Sequence, residues 1–415
     1  MPHLLSLNSY HYRRGGSDAV YFDHAELLRE RGWRTSFMSM KHPRNFPSDD
    51  ERYFADLVDY EFVEGPIDKL RTAGRSIYNV DARRKAERLV SDKQIDIAHV
   101  HCIYHHLTPS VFPVLKDAGI PIVLTSHDLK IGCPAYLMRS PEGVCEACKG
   151  GNYMNVVRKR CIKGSLAASA TVAAEAYLHR ALGSYENNLD MVVAPSTFNR
   201  DKLIEWGWPS DRITYIPNFT RIIDTRFRAD YSGRILFFGR LSPEKGVSTL
   251  IEASAIAGVA VDIVGTGPIE QELQNLARQL EAPVTFFGRL DGDKLWEQVG
   301  AARAVVMPSE CYENAPLAVL EAFQLERPLI GADIGGIPEL AHPDAHDTCG
   351  WLFPSGNARV LAERLKEVDA MSPADLRQRG AAGRSLALER FSKERYISEM
   401  LEVYAALGVK EDRVA

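Results

Sequence analysis

The sequence holds no run of eighteen or more apolar residues, so it offers no helix that could span a bilayer. It also lacks a pronounced charge of either sign: 50 Lys+Arg stand against 55 Asp+Glu, a net of −5. A chain so weakly acidic is not built to hold nucleic acid by counterion release, and no nucleic-acid partner is expected. The opening "MPHLLSLNSYHYRRGG" has no basic segment ahead of a long apolar stretch. It reads as mature sequence rather than a secretory signal, and a cytoplasmic location is expected. The G-x-G-x-x-G spacing of dinucleotide-binding turns is missing as well, and the lone "GTG" of "VDIVGTGP" is no substitute for it.

What is present is the composition of a soluble globular protein, 45% hydrophobic and 25% charged. At 415 residues the chain is too long for one ordinary core and suits two domains. Charge is divided unevenly. Residues 1–220 hold 28 Lys+Arg and 26 Asp+Glu, net +2, and the remainder 22 and 29, net −7.

Apolar strand-like stretches alternate with amphipathic helix-like ones from end to end. "HLLSLN", "IDIAHVH", "IPIVLTSHD" and "LDMVVAPS" form a first series. "GRILFFGR", "VAVDIVGTG", "PVTFFGRL", "ARAVVMPS" and "PLIGAD" form a second, and between them "YIPNFTRIIDTRFRADYSG" has no clear period. Continuous apolar strands separated by helices predict parallel sheets covered on both faces. The expected fold is therefore α/β: two Rossmann-like, doubly wound domains, residues 1–220 and 221–393, facing each other across a cleft. Ligands of such sheets bind beyond the carboxyl ends of the strands.

Several polar groups fall at those ends. "GRLSPEKG" places Arg240 and Lys245 at a strand-to-helix turn, which suits a diphosphate or else forms a solvated surface turn. "SECYENAPLAVLEA" follows the strand "ARAVVMPS", with Pro316 expected in the first helical turn. Glu313 is then a loop acid and Glu321 lies eight residues on, about 12 Å along if the whole span were helical. The pair could hold hydroxyls at the two ends of a sugar nucleotide, with the amides of Asn314 and Ala315 toward its phosphates. In the plainer reading one is a loop acid and the other a salt-bridged helix residue.

The order of "RRGGSD", "HD", "GRLSPEKG", the E-x7-E of Glu313 and Glu321, and "GADIGGIPEL" resembles the retaining glycosyltransferases of family 4, which have the GT-B fold. The likeness runs over nearly the whole chain. It implies transfer of a sugar from a nucleotide-diphosphate sugar to a glycan or lipid-linked glycan, with retained anomeric configuration. Arg240 and Lys245 would hold the donor diphosphate, Glu313 the transferred sugar and Glu321 the ribose. Gly15 and Gly16 match the loop that approaches the phosphates, where a backbone without side chains can come close. His127 matches the histidine near the transferred sugar, with Asp128 beside it on the acceptor side. The last helix, about 394–408, is expected to return to the N-terminal domain. No strand-end D-x-D is assigned to a donor-bound Mg²⁺, and no catalytic divalent metal is expected.

Cys133, Cys145, Cys148 and Cys161 follow the "HD" pair in the spacing C-x11-C-x2-C-x12-C. In a cytosolic protein this reads as a metal site before a disulfide framework. A structural zinc ion is favoured over an iron–sulfur cluster, with unliganded or redox-active thiols as the remaining possibility. A subset of family 4 resembles the chain here too, with "HDxKxxCP", "CExCKGG" and "RC" in the same place. The metal would fix an insertion, residues 133–161, of some thirty residues without helical or strand period. Beyond it, Arg158, Lys159, Arg160 and Lys163 precede an alanine-rich helix and suit peripheral contact with anionic headgroups, or else a solvated face. Two competing readings remain: a sugar-nucleotide epimerase on the same fold, and a zinc-bearing binding protein without catalysis.

Overall fold

The structure, a computed structural model, describes residues 1–58, 60, 65–342 and 348–409. They form two compact units: Met1–Ile216 with the chain from Tyr396 on, and Pro217–Arg395.

The first unit carries strands β1 (His3–Leu7), β2 (Arg34–Met38), β3 (Ile97–Val100) and β4 (Ile122–Thr125). A small antiparallel hairpin follows, β5 (Arg139–Ser140) and β6 (Gly143–Val144), then β7 (Met191–Ala194) and β8 (Ile213–Tyr215). The six main strands are all parallel, in the order β2-β1-β3-β4-β7-β8. The second unit has β9 (Ile235–Phe238), β10 (Val261–Val264), β11 (Val284–Gly288), β12 (Val305–Met307), β13 (Leu329–Ala332) and β14 (Gly350–Phe353). These are parallel as well, in the order β11-β10-β9-β12-β13-β14. Each sheet is doubly wound. The chain runs from a central strand to one edge, returns beside its starting point and proceeds the other way. That reversal makes a switch point between β1 and β3 in one unit and between β9 and β12 in the other.

The central strands read as unbroken apolar runs because helices cover both of their faces. In β9, Ile235 and Phe237 enter one buried cluster while Leu236 and Phe238 enter the cluster on the opposite face. Burial of each such side chain contributes about 1.5–3 kcal/mol. The strands that sequence patterning does not single out, β2, β8 and β14, are all edge strands. An edge strand needs less apolar surface: β2, "RTSFM", is exposed at Arg34 and buried only from Ser36 onward.

The helix Lys393–Ala406 packs on the first unit through two fully buried tyrosines. The Tyr396 hydroxyl lies 3.1 Å from His24 Nδ1, and the Tyr404 hydroxyl lies 2.9 Å from His24 Nε2. Among the described residues no helix is long and apolar enough to cross a membrane.

Candidate functional site

In the second unit Arg240, Lys245 and Glu313 lie in the loops that follow β9 and β12, the strands flanking the switch point. After β9 comes a loop ending in the turn Pro243–Lys245, and after β12 the chain runs through Ser309 to Pro316. Two glycines fix these loops. Gly246 sits at φ +66°, and a Cβ there would stand 1.9 Å from the Pro308 carbonyl oxygen. Gly335, at φ +61°, leaves room for the Glu313 backbone, which a Cβ would meet at 2.5 Å. The neighbouring Gly336 N–H donates to the Glu313 carbonyl at 2.7 Å. Only glycine permits both the conformation and the approach.

So held, Glu313 is brought to Lys245. The ammonium lies 2.6 Å from Glu313 Oε1, and the Ser309 hydroxyl donates to the same oxygen at 2.7 Å. Burial opposes the charge on Lys245, but the Glu313 carboxylate more than offsets it and holds the lysine above its ordinary range. Beside the pair, the Thr249 hydroxyl donates to Glu310 at 2.6 Å.

Glu321 differs. It lies on the helix Leu317–Gln324, is partly buried, and no donor or cation among the described residues reaches its carboxylate. Burial alone raises its pKa to about 7. Arg240 is exposed and makes no side-chain hydrogen bond or ion pair among the described residues. Asn314 is buried and Ala315 half-buried.

Pro316 is not in the helix. It stands just before Leu317 with ψ 104°, so Asn314 and Ala315 precede the helix and the stretch from Glu313 to Glu321 is part loop. The proline locks its own φ while its extended ψ delays the first turn. A second correction concerns D-x-D. Asp291-Gly292-Asp293 does follow edge strand β11, but Asp291 pairs with Arg289 at 2.8 Å and Asp293 with Arg226 at 2.8 Å.

In the first unit His127 and Asp128 follow β4. His127 Nε2 lies 2.9 Å from Nδ1 of the fully buried His101, and the two rings are stacked. His101 in turn stacks on His99, and His24 packs edge-on against His99. Burial lowers His127 to about 4 and His24 to about 3, and holds His99 and His101 well below the ordinary value. The whole column is neutral near pH 7. Burial raises Asp128 to about 6, against the pull of the Lys130 N–H and ammonium.

Ligand atoms of His24, His99 and His101 lie within 4.8 Å of one another, so this trio could coordinate a metal ion. Its nitrogens are largely engaged, however. His99 contacts Tyr404 and the Thr125 hydroxyl, and His24 contacts both tyrosines. None of these inner histidines is evident from motif reading. The available signal was "HVH": His99 and His101 alternate along one strand and so share a face.

Gly15 is exposed and extended, at φ −164°, immediately before the helix Gly16–Glu30. A Cβ at Gly15 would meet nothing within 4 Å, so the protein's own packing does not demand a glycine there. The four insertion cysteines carry no disulfide and all line one cavity.

The sequence model described as Glycosyltransferase Family 4 matches residues 14–222, half of the chain. The chain belongs to glycosyltransferase family 4. A second model, Glycosyl transferases group 1, matches residues 227–385 of this family 4 glycosyltransferase and so covers the Lys245–Glu313 site.

The sulfoquinovosyl transferase of Arabidopsis thaliana is 28% identical over 200 residues, 46% of this chain and 38% of that protein. The amylovoran biosynthesis glycosyltransferase AmsK of Erwinia amylovora is 27% identical over 236 residues, 51% and 56% of the two chains. The chain thus spans about half the length of these curated relatives.

Among solved structures, Anabaena HepE in complex with UDP and glucose superposes with TM-score 0.68 at 18% identity, covering 98% of this chain and 100% of that one. The lipopolysaccharide outer core galactosyltransferase WaaB gives 0.60 at 14%, covering 99% and 100%. At such identities the likeness concerns the fold, and the fold is GT-B: two Rossmann-like units.

Proposed function

We propose that this protein is a retaining glycosyltransferase that moves a sugar from a nucleotide-diphosphate sugar to a hydroxyl of a glycan or lipid-linked glycan during cell-envelope polysaccharide synthesis. The observation that carries the donor assignment is Glu321, a partly buried carboxylate with no protein partner among the described residues, at the switch point that also holds Lys245. A carboxylate left bare there is costly unless a ligand supplies donors. The two hydroxyls of a ribose are such donors.

In this reading Arg240 and Lys245 face the diphosphate, Glu313 contacts the transferred sugar, and Asn314 and Ala315 line the phosphates. Gly15 and Gly16 serve the same phosphates, consistent with the open space where a Gly15 side chain would stand. His127 orients the sugar and Asp128 the acceptor. UDP is bound by HepE, which supports a nucleoside diphosphate as the donor's leaving half. The name of AmsK supports a polysaccharide product.

The transfer breaks the bond from the anomeric carbon to the diphosphate oxygen and forms one to the acceptor oxygen on the same face. The acceptor's proton passes to the departing phosphate oxygen. Charge grows on that phosphate as the bond breaks, and fixed cations stabilise it more in the transition state than before. Such charge handling needs no divalent cation, and a metal at the cysteines would be structural. Lys245 and Ser309 hold Glu313 by one oxygen, Oε1, which suits a fixed contact to the transferred sugar. A lipid-linked acceptor is supported by the exposed Arg158, Arg160 and Lys163 in the same stretch as exposed Met154 and Leu166.

Incubation with a panel of nucleotide sugars and glycan or lipid-linked acceptors tests this reading. Nucleotide release that depends on acceptor, with a retained anomer by NMR, is expected. An isomerised donor would indicate an epimerase, and no turnover across the panel would count against catalysis.

A further inference from the structure

The segment after His127 and Asp128 is poorly provided with regular structure. Between residues 129 and 153 it contains only the two-residue strands β5 and β6 and a short 3₁₀ turn at Lys149–Gly151. It is also strained. Of the nine non-glycine residues with positive φ among the described ones, four lie here or just beyond: Tyr136, Met138, Arg160 and Lys163. Each costs on the order of 1–3 kcal/mol and persists only where the surroundings over-determine it. Burial fixes part of it, through Leu129, Met138 and Val156, while Tyr136, Val144 and Met154 are exposed.

The four cysteines converge in this segment. Cys133, Cys145, Cys148 and Cys161 all line a single cavity of about 10 Å³, together with Arg139 and Lys159. That is room for one small occupant. Cys133 and Cys148 are buried, Cys145 and Cys161 half-buried, and all four are free thiols. The knuckle is closed by the Cys145 N–H donating to the Met138 carbonyl at 2.7 Å. Gly150 and Gly151, at φ +79° and +90°, turn the chain away after Cys148.

We propose that Cys133, Cys145, Cys148 and Cys161 bind one Zn²⁺ ion through their four sulfurs, forming a structural site that fastens the chain following His127 and Asp128. Four thiolates satisfy tetrahedral zinc and leave no open position for catalysis. The resulting complex carries two negative charges and has Arg139 and Lys159 on the cavity wall, the latter also paired with Glu142 at 2.6 Å. The sulfurs stand wider apart than the nitrogens of the histidine trio, and closing on the ion draws them to about 3.8 Å from one another at a Zn–S distance of about 2.3 Å. The cysteines are nonetheless the better donors. A metal on His24 and His99 would displace the hydroxyls of Tyr396, Tyr404 and Thr125. A buried link carries the effect outward: Lys130 donates to the Pro134 carbonyl and pairs with Glu175 at 2.7 Å, tying the Cys133 turn to the helix Leu166–Ala181.

The test is elemental analysis of the full chain, purified without chelator or affinity metal, beside Cys148→Ser, Cys102→Ser and His101→Ala. One zinc per chain is expected in the wild type and in the Cys102 and His101 variants, with about a tenfold loss of bound zinc in Cys148→Ser. Should Cys148→Ser not fold, titration of the wild type with an organomercurial reads the same property, zinc leaving in step with the cluster's thiols. Absence of zinc, the visible absorbance of an iron–sulfur cluster, disulfides in place of thiols, or zinc lost from His101→Ala but kept in Cys148→Ser would each overturn the assignment. The assay reads metal, so it is independent of whether sugar transfer is the activity.

Discussion

Replacing Glu321 by glutamine should make the protein more stable and its nucleotide binding worse. The carboxyl is held at about 7 by burial, against 4.5 in an unperturbed chain. Its folded value lies above its unfolded value, so the folded state binds this proton more readily. The associated cost is absent below pH 4.5, grows as pH rises from 4.5 to 7 and is complete above 7. The difference corresponds to about 3 kcal/mol, and to about 1–2 kcal/mol once solvent reaching a partly exposed side chain is allowed for. Glutamine keeps the shape and carries no charge to desolvate. At pH 8 the ligand-free Glu321→Gln variant should therefore gain about 1–2 kcal/mol, a rise of about 2–8 °C in Tm for a unit of this size. Near pH 4 the two proteins should melt together. Binding should move the other way. If ribose hydroxyls donate to the ionised carboxylate, its loss costs about 1.5–3 kcal/mol, or about 10- to 150-fold in Kd. Thermal melts at pH 4 and 8 with calorimetric titration of UDP and GDP read both quantities. A variant that is less stable at pH 8, or that binds the preferred nucleotide as tightly as the wild type, would refute the reasoning.

Lys245→Ala removes a cation from the switch point and leaves the Glu313 carboxylate, itself largely buried, without its ion-pair partner. It should lower kcat about 100-fold and stability by about 1–3 kcal/mol, measured by steady-state kinetics and urea unfolding. His101→Phe keeps an aromatic ring but removes the hydrogen bond to His127. A positioning role predicts a fall of about 5-fold in kcat with the donor KM nearly unchanged, and partial rescue by His101→Asn; equal changes in both constants would indicate a general loss of structure. The buried histidines also predict acid sensitivity of the first unit. His11 and His127, held at about 4, and His24, at about 3, lie below their unfolded value, so the unfolded state takes up more protons. Stability conferred by the first unit should then decline as pH falls from 6.5 toward 4, followed by hydrogen exchange at each pH; protection that stays flat over that interval would contradict the burial argument.

Much of this architecture is legible in the sequence for one reason: central strands buried on both faces are dominated by apolar residues, with isolated polar ones such as Ser6, His99 and Asp262. β1, β3, β4, β7, β9, β10, β12 and β13 are of this kind. Of the edge strands that escape notice, β2 and β8 are partly exposed, while β14 is mostly buried; β11, also an edge, is read from its apolar run. In the second unit the candidate residues Arg240, Lys245 and Glu313 are legible because they fall in loops that follow strands, whereas Glu321 lies within the next helix. What the sequence does not show is pairing. Lys245 and Glu313 lie 68 residues apart and meet only because Gly246 and Gly335 let two loops interlock. Likewise Tyr404 reaches His99 across 305 residues, through a helix at the far end of the chain.

The contrast between the two switch points has a chemical logic. The second unit concentrates charge beside its central strands: an ion pair, an exposed arginine and a carboxylate poised near neutrality. The first keeps His24, His99, His101 and His127 out of water, so that none carries charge near pH 7. A neutral imidazole donates through one nitrogen and accepts through the other, and at His127 one of the two, Nε2, already faces His101. An imidazolium there would favour an anion over a neutral hydroxyl. Burying three further histidines behind His127 is therefore more than packing: each ring is a weak base that, if protonated, would repel a proton on the next. The column resists gain of a proton, and under the proposed function that keeps His127 neutral toward a sugar.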